Sequence, residues 1–191
     1  MNKTTTKFYT RYQDVPQMIQ SGSWECDFDL FGVWEFVVEQ QKEGGLDINP
    51  DFQRAHVWTQ PQQRAWLEFF LRGGKTGRIF YFNKPSWNNT AKTPYDEFVI
   101  VDGKQRLEAI RRFVTNEIRV FGSLCSEYQD NPRRVNHTIK ININDLSTRA
   151  DVIFWYLQFN EGGTPHTQEE LDRVRVLLKQ ESGSKPWICQ K

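Results

Sequence analysis

Apolar positions in this chain switch between two periods, and the switching predicts five helices and four short strands. Leu30, Val33, Trp34, Val37 and Val38 recur at helical spacing behind Asp29, a good N-cap, and Gly44-Gly45 closes that helix. Thr59 and Pro61 open a second helix, with Trp66, Leu67, Phe70 and Leu71 inward and Gly73-Gly74 at its end. Arg78 to Phe82 reads as a strand. Phe98 to Val101 reads as a buried one, too short for a helix and rich in β-branched side chains. From Lys104 the period is helical again, through Leu107, Ile110, Phe113 and Val114. Ile118 to Phe121 reads as a short strand. Thr138 to Asn144 alternates Ile139, Ile141 and Ile143 with polar residues, the pattern of a half-buried strand. Ser147 or Thr148 caps a helix bearing Val152, Ile153, Trp155, Tyr156 and Phe159, which stops near Gly162-Gly163. Thr167 to Glu170 is a capping box before a last helix with Leu171, Val174, Leu177 and Leu178.

The remaining stretches set the organisation. Residues 1–28 are polar and aromatic without a period and read as an irregular lead-in; 29–181 form one domain, and 182–191 a frayed tail. Pro85 to Pro94 is a polar loop and Ser123 to Asn136 a charged one. No repeat or linker interrupts the pattern, so the expected fold class is α+β, a small mixed sheet flanked by helices.

Composition narrows the function. With 38% hydrophobic and 26% charged residues in 191, the chain has enough apolar surface for a core. A net charge of +1 argues against a protein that coats nucleic acid by bulk electrostatics. The local balance differs: between Asp102 and Arg119, Lys104, Arg106, Arg111, Arg112 and Arg119 outnumber Asp102, Glu108 and Glu117. Cys26, Cys125 and Cys189 are odd in number and in no metal-ligand spacing, which points to reduced thiols and a cytoplasmic setting. The N-terminus lacks an apolar signal core and no apolar run is long enough for a bilayer, so no membrane association is expected.

The chemistry concentrates at one junction. The strand ending at Val101 passes through Asp102-Gly103 directly into an amphipathic helix, whose first turn offers unpaired backbone N–H groups and the positive end of the helix dipole. Lys104 and Arg106 add cations there, so the junction is a candidate phosphate site. A structural alternative exists, in which Asp102 simply caps the helix and Gly103 serves the turn. Gln53-Arg54 and Asn160 to Thr164 are the other segments more polar than structure alone requires. The latter offers backbone amides around a double glycine.

Taken together, Asn49-Pro-Asp-Phe-Gln-Arg-Ala-His-Val-Trp58, Ile100-Val-Asp-Gly-Lys-Gln-Arg-Leu107 and Phe159-Asn-Glu-Gly-Gly-Thr-Pro165 resemble a known family. It is the ParB/sulfiredoxin-like domain that forms the N-terminal, GmrS-like part of GmrSD-type modification-dependent restriction enzymes, and that SspE-like phage-defence proteins also carry. The resemblance spans roughly residues 28 to 180. It implies a nucleoside-triphosphate site at the Asp-Gly-x-Gln-Arg turn, with hydrolysis linked to nuclease action or to sensing of modified DNA. Carried over, Asp102 and Arg106 become the catalytic candidates, and Gln53, Arg54, Gly103, Lys104, Gln105 and Asn160 the nucleotide- or phosphate-binding ones. Lys104 departs from the family pattern, which usually has Gln at that place. In this reading Arg54 and Arg106 neutralise phosphate oxygens, and Asp102 positions a water or holds Mg²⁺, the candidate cofactor.

The expected function is therefore a stand-alone domain that binds and hydrolyses a nucleoside triphosphate, or acts on DNA, in restriction-type or phage–host biology. The alternative is a sensor or regulator that binds nucleotide or DNA without turnover. Family members continue into a His-containing nuclease domain. His56, His137 and His166 form no His-Asn-His motif here, which makes a separate nuclease subunit a candidate partner. His56, inside the Gln-Arg segment, is a further candidate for ligand contact.

Overall fold

The computed structural model describes residues 9–12, 15, 24–55, 57–88, 93–130, 137–161 and 168–182. Its sheet is mixed. Strand β1 (Trp24–Phe28) pairs antiparallel with β4 (Ile139–Asn144), β4 lies parallel to β2 (Ile79–Asn83), and β2 pairs antiparallel with β3 (Val99–Asp102), giving the order β1-β4-β2-β3. Helices α1 (Leu30–Glu43), α2 (Gln60–Leu71), α3 (Lys104–Val114), α4 (Arg149–Glu161) and α5 (Gln168–Ser182) flank it. This is the expected α+β class.

Alternation along the strands sorts the core into two layers. Phe80, Phe82, Ile100, Ile139, Ile141 and Ile143 face α1, α2 and α3, where Val33, Val37, Leu67, Phe70, Leu107 and Ile110 meet them. Val99 and Val101 face the other way, into a cluster with Val152, Ile153, Trp155, Tyr156 and Leu178 of α4 and α5. Strand β3 is thus apolar on both sides, as its unbroken Val-Ile-Val run requires.

Local signals account for most element ends. Asp29 Oδ1 accepts the amides of Phe31 and Gly32, each at 2.9 Å, and so caps α1. Thr59 and Gln62 form a reciprocal capping box on α2. Thr148 Oγ accepts the Asp151 amide at 3.1 Å at the start of α4. The capping residue proposed for α5, Thr167, and the tail beyond Ser182 lie outside the described residues.

Four expectations change. The lead-in expected to be irregular ends in strand β1, which contributes Trp24 and Phe28 to the core margin. Ile118 to Phe121 is not a strand. Val120 makes an isolated bridge to Ser123 across a tight turn in which Phe121 (φ 49°) and Gly122 (φ 85°) are both left-handed, so extended pairing cannot continue. From Ile141 onward strand β4 is buried on both faces, because Asn142 and Asn144 are covered along with the isoleucines, whereas Lys140 is half-buried. On α1, Phe36 is buried and Val38 is exposed.

Candidate functional site

The strand β3–helix α3 junction is built on a β-bulge. Asn83 pairs with Val99 and Phe82 with Ile100, but the register then slips by one and Tyr81 pairs with Asp102. The extra residue re-aims the end of β3 and sets Asp102 against Tyr81. Burial, followed by the charge of Asp102, pushes the Tyr81 hydroxyl above the usual phenol range. Asp102 is therefore the last residue of the strand and not the helix cap. The N-cap is Gly103, at φ 112°, and no side chain caps α3. The glycine is obligatory twice over, since that φ disfavours any side chain and a Cβ there would sit 2.6 Å from Cδ1 of Phe80.

The Asp102 carboxylate instead pairs with Nη2 of Arg106, one helical turn on. Arg106 also donates from Nη1 to the Ile79 carbonyl at 2.9 Å, and its guanidinium lies 5.0 Å from the centre of the Phe80 ring. A side chain held on three sides is pre-organised, and only 14% of its surface is exposed.

Gln105, the residue between them in the motif, points elsewhere. It is buried, its Oε1 accepts the amides of Val57 (2.9 Å) and Trp58 (3.1 Å), and its Nε2 donates to the Ala55 carbonyl at 3.2 Å. Gln53 Nε2 donates to the carbonyls of Ile100 (3.2 Å) and Val101 (2.7 Å). Lys104 Nζ donates to the Arg54 carbonyl at 3.0 Å, and burial holds its ammonium below the usual lysine range. These three polar side chains stitch the 53–58 loop onto the β3–α3 junction.

The stitching leaves a cleft of about 650 Å³. Arg54 and Trp58 come from the loop, Asp102, Gly103, Gln105 and Arg106 from the junction, and Tyr81, Phe159 and Asn160 from β2 and α4. The fourth side consists of Trp66 and Phe69 of α2 and the segment Lys75 to Ile79. Among the described residues, four cations (Arg54, Lys75, Arg78, Arg106) face a single carboxylate, Asp102. The guanidinium of Arg54 makes no hydrogen bond or ion pair among the described residues, and so remains available to a ligand.

Of the expected site residues, Arg54, Asp102, Gly103, Gln105, Arg106 and Asn160 line the cleft, whereas Gln53 and Lys104 do not. Asn160 donates from Nδ2 to the Tyr156 carbonyl at 2.6 Å. Residues 162–164, expected to offer backbone amides, and His56 lie outside the described residues. His137 packs edge-on against Phe70, away from the cleft lining. Sequence reasoning missed Lys75 to Arg78, although three glycines and three cations within Arg72 to Arg78 were a visible signal. Among the described residues no group of three or more His, Cys, Asp or Glu is placed to hold a metal, and no helix is long and apolar enough to cross a membrane.

A family model for the N-terminal domain of the GmrSD restriction endonuclease matches residues 33–151, which contain β2, β3, α3, β4 and the whole Gln53 to Trp58 loop. No curated protein and no solved structure matches the chain.

Proposed function

Because the chain belongs to the family of GmrSD restriction endonuclease N-terminal domains, we propose that its cleft binds a nucleoside triphosphate and hydrolyses it at the Asp102–Arg106 junction. The observation that carries this reading is the charge arrangement: four cations converge with the uncapped first turn of α3 around one carboxylate, between aromatic walls. Backbone amides at a helix N-terminus and guanidinium groups both favour phosphate oxygens, and Trp58, Trp66 and Tyr81 offer faces to a base.

In this reading Arg54 contacts phosphate directly, because its guanidinium has no hydrogen bond or ion pair among the described residues. Arg106, fixed by Asp102, Ile79 and Phe80, stabilises charge that develops on the transferred phosphoryl group without having to reorganise. One oxygen of Asp102 is taken by Arg106, and the other is left to orient the attacking water or to hold Mg²⁺. A lone carboxylate fits Mg²⁺ only together with phosphate oxygens, the usual manner for this ion at nucleotide sites. Asp102 together with the ligand's phosphate oxygens would hold it, and it would supply neutralisation of phosphate charge.

A second reading, binding without turnover, is favoured by the closed Asp102–Arg106 pair, since the carboxylate oxygen held by the guanidinium is withheld from an attacking water. Phosphate release from each of the four ribonucleoside triphosphates, with Mg²⁺ and with EDTA, separates the two. Metal-dependent release by the wild type that is lost in Asp102→Asn is expected. Absence of release alongside nucleotide-dependent thermal stabilisation leaves the binding module, and absence of both sinks the nucleotide assignment.

A further inference from the structure

Resting on the nucleotide reading above, we propose that Lys75 to Arg78, the cleft-lining part of the Arg72–Arg78 segment, is a second phosphate-contacting wall, with Lys75 taking the outer phosphates and selecting triphosphates over shorter nucleotides. The segment joins α2 to β2 and reads Arg-Gly-Gly-Lys-Thr-Gly-Arg. Its backbone is held in one shape. Gly73 and Gly77 are left-handed (φ 92° and 70°), and a Cβ on Gly74 would fall within 2.2 Å of the Phe69 ring. Arg78 Nε closes the loop by donating to the Gly74 carbonyl, and its guanidinium lies 5.2 Å from the centre of the Phe70 ring.

This rigid loop abuts the catalytic candidate. A Cβ on Gly77 would lie 3.2 Å from Trp66 Nε1, 3.5 Å from Arg106 Cδ and 3.6 Å from Arg106 Nη1. A phosphate held at Arg106 therefore comes up against loop backbone, and a side chain at position 77 would intrude on that approach. Two donors beside it, Trp66 Nε1 and Arg78 Nη2, are buried without a hydrogen-bond partner. Both atoms are closed off from the cleft itself, so the contact with a ligand falls to the exposed part of the wall.

The commitments of the cations assign Lys75 its part. Lys104 is engaged by the Arg54 carbonyl, Arg106 by Asp102 and Ile79, and Arg78 by Gly74. Lys75 is exposed and makes no hydrogen bond or ion pair among the described residues. It is the counterpart of Arg54, each standing uncommitted on a different segment of the lining. A monophosphate is satisfied by one cation and the helix terminus. A chain of three phosphates is long enough to reach a second wall.

The test is calorimetric titration of the full chain with adenosine and guanosine mono-, di- and triphosphates, for wild type, Lys75→Ala and Lys75→Arg. Lys75→Ala is expected to weaken triphosphate binding about tenfold while changing monophosphate binding less than about twofold. Lys75→Arg should restore most of the loss. Equal weakening of all three lengths, or no change in any, overturns the loop assignment and leaves the nucleotide reading standing. Failure of the wild type to bind any of the six nucleotides overturns both. The exposed position of Lys75 keeps folding out of the comparison.

Discussion

Asp102 and Arg106 are joined by an ion pair across the last residue of a strand and the first turn of the following helix, with 35% and 14% of their side chains exposed. Each thereby fixes the other. Arg106 gains a pre-set orientation, and Asp102 loses half of its acceptor capacity before any ligand arrives. A carboxylate next to a phosphate would otherwise be repulsive, and the pairing removes much of that repulsion.

Asp102→Asn separates these consequences. The amide keeps the shape but cannot hold Arg106 as an ion pair, so the guanidinium becomes free to turn fully toward phosphate. Nucleotide affinity is expected to stay equal or rise, whereas turnover should drop by roughly 100-fold or more. Parallel calorimetry and phosphate-release assays check this. A variant that loses binding and keeps turnover per bound nucleotide would contradict the role given to Asp102. The stability cost should be small, about 1 kcal/mol, because the pair is partly solvated.

Gly103 and Gly45 provide an internal contrast. Both have positive φ, 112° and 68°, but a Cβ on Gly103 would meet the Phe80 ring at 2.6 Å, and one on Gly45 would meet nothing within 4 Å. Gly103→Ala combines backbone strain with overpacking and should cost roughly 3 kcal/mol. In a chain of this size that lowers the melting temperature by about 6–12 °C. Gly45→Ala meets strain alone, about 1 kcal/mol. Thermal unfolding of the two variants gives the answer directly, and equal shifts would show that the Phe80 contact is unimportant.

Much of this was legible along the chain because the signals were local. Asp29, the Thr59–Gln62 box and Thr148 cap helices through contacts within three residues, and the Val-Ile-Val of β3 needs no partner to be recognised as buried. Strand β1 was hidden because its Trp-Glu-Cys-Asp-Phe alternation is only five residues long and acquires meaning from Lys140 and Asn142, whose side chains hold Glu25. The Phe121-Gly122 turn was hidden for the opposite reason, since aromatic and β-branched neighbours suggested extension where the backbone reverses. At the site, the Asp-Gly-x-Gln-Arg order identified the junction but not the division of labour. That Gln105 and Gln53 hold backbone while Arg54 stays free depends on the fold of a loop some 50 residues upstream. The bulge that turns Asp102 from a cap into a partner of Arg106 leaves no mark in the sequence.

Glu117 provides a pH-dependent prediction away from the cleft. Its hydrogen bond with Arg111, supported by Thr115 and Arg112, lowers the carboxyl from an ordinary 4.5 to about 2. A carboxylate depressed in the folded state stabilises above its unfolded value and loses that contribution as pH falls from about 4.5 toward 2. The surface position limits the effect to less than about 1 kcal/mol. Melting temperatures of wild type and Glu117→Gln should differ at pH 7 and converge as the pH approaches 2. A gap that stays constant over that range would mean that the Arg111 pair does not form in solution.

Gln105 anchors the 53–58 loop, its side chain receiving two amides and donating to one carbonyl of that loop. Gln105→Ala leaves the Val57 and Trp58 amides without that acceptor, which costs about 2 kcal/mol where water cannot replace it. The loop should then open locally from Ala55 onward before the sheet does, leaving the Arg54–Ala55 bond at the edge of the opening with only Gln53 and Lys104 holding the residues before it. Trypsin cleavage after Arg54 reports on this opening and should accelerate at least about tenfold. Cleavage after Arg78, held by Gly74 and Phe70, should be unaffected. Because Arg54 and Trp58 line the cleft from this loop, nucleotide affinity should fall in the same variant. If cleavage after Arg54 accelerates and affinity does not change, the loop is anchored by Gln105 for stability alone and Arg54 is not a ligand contact.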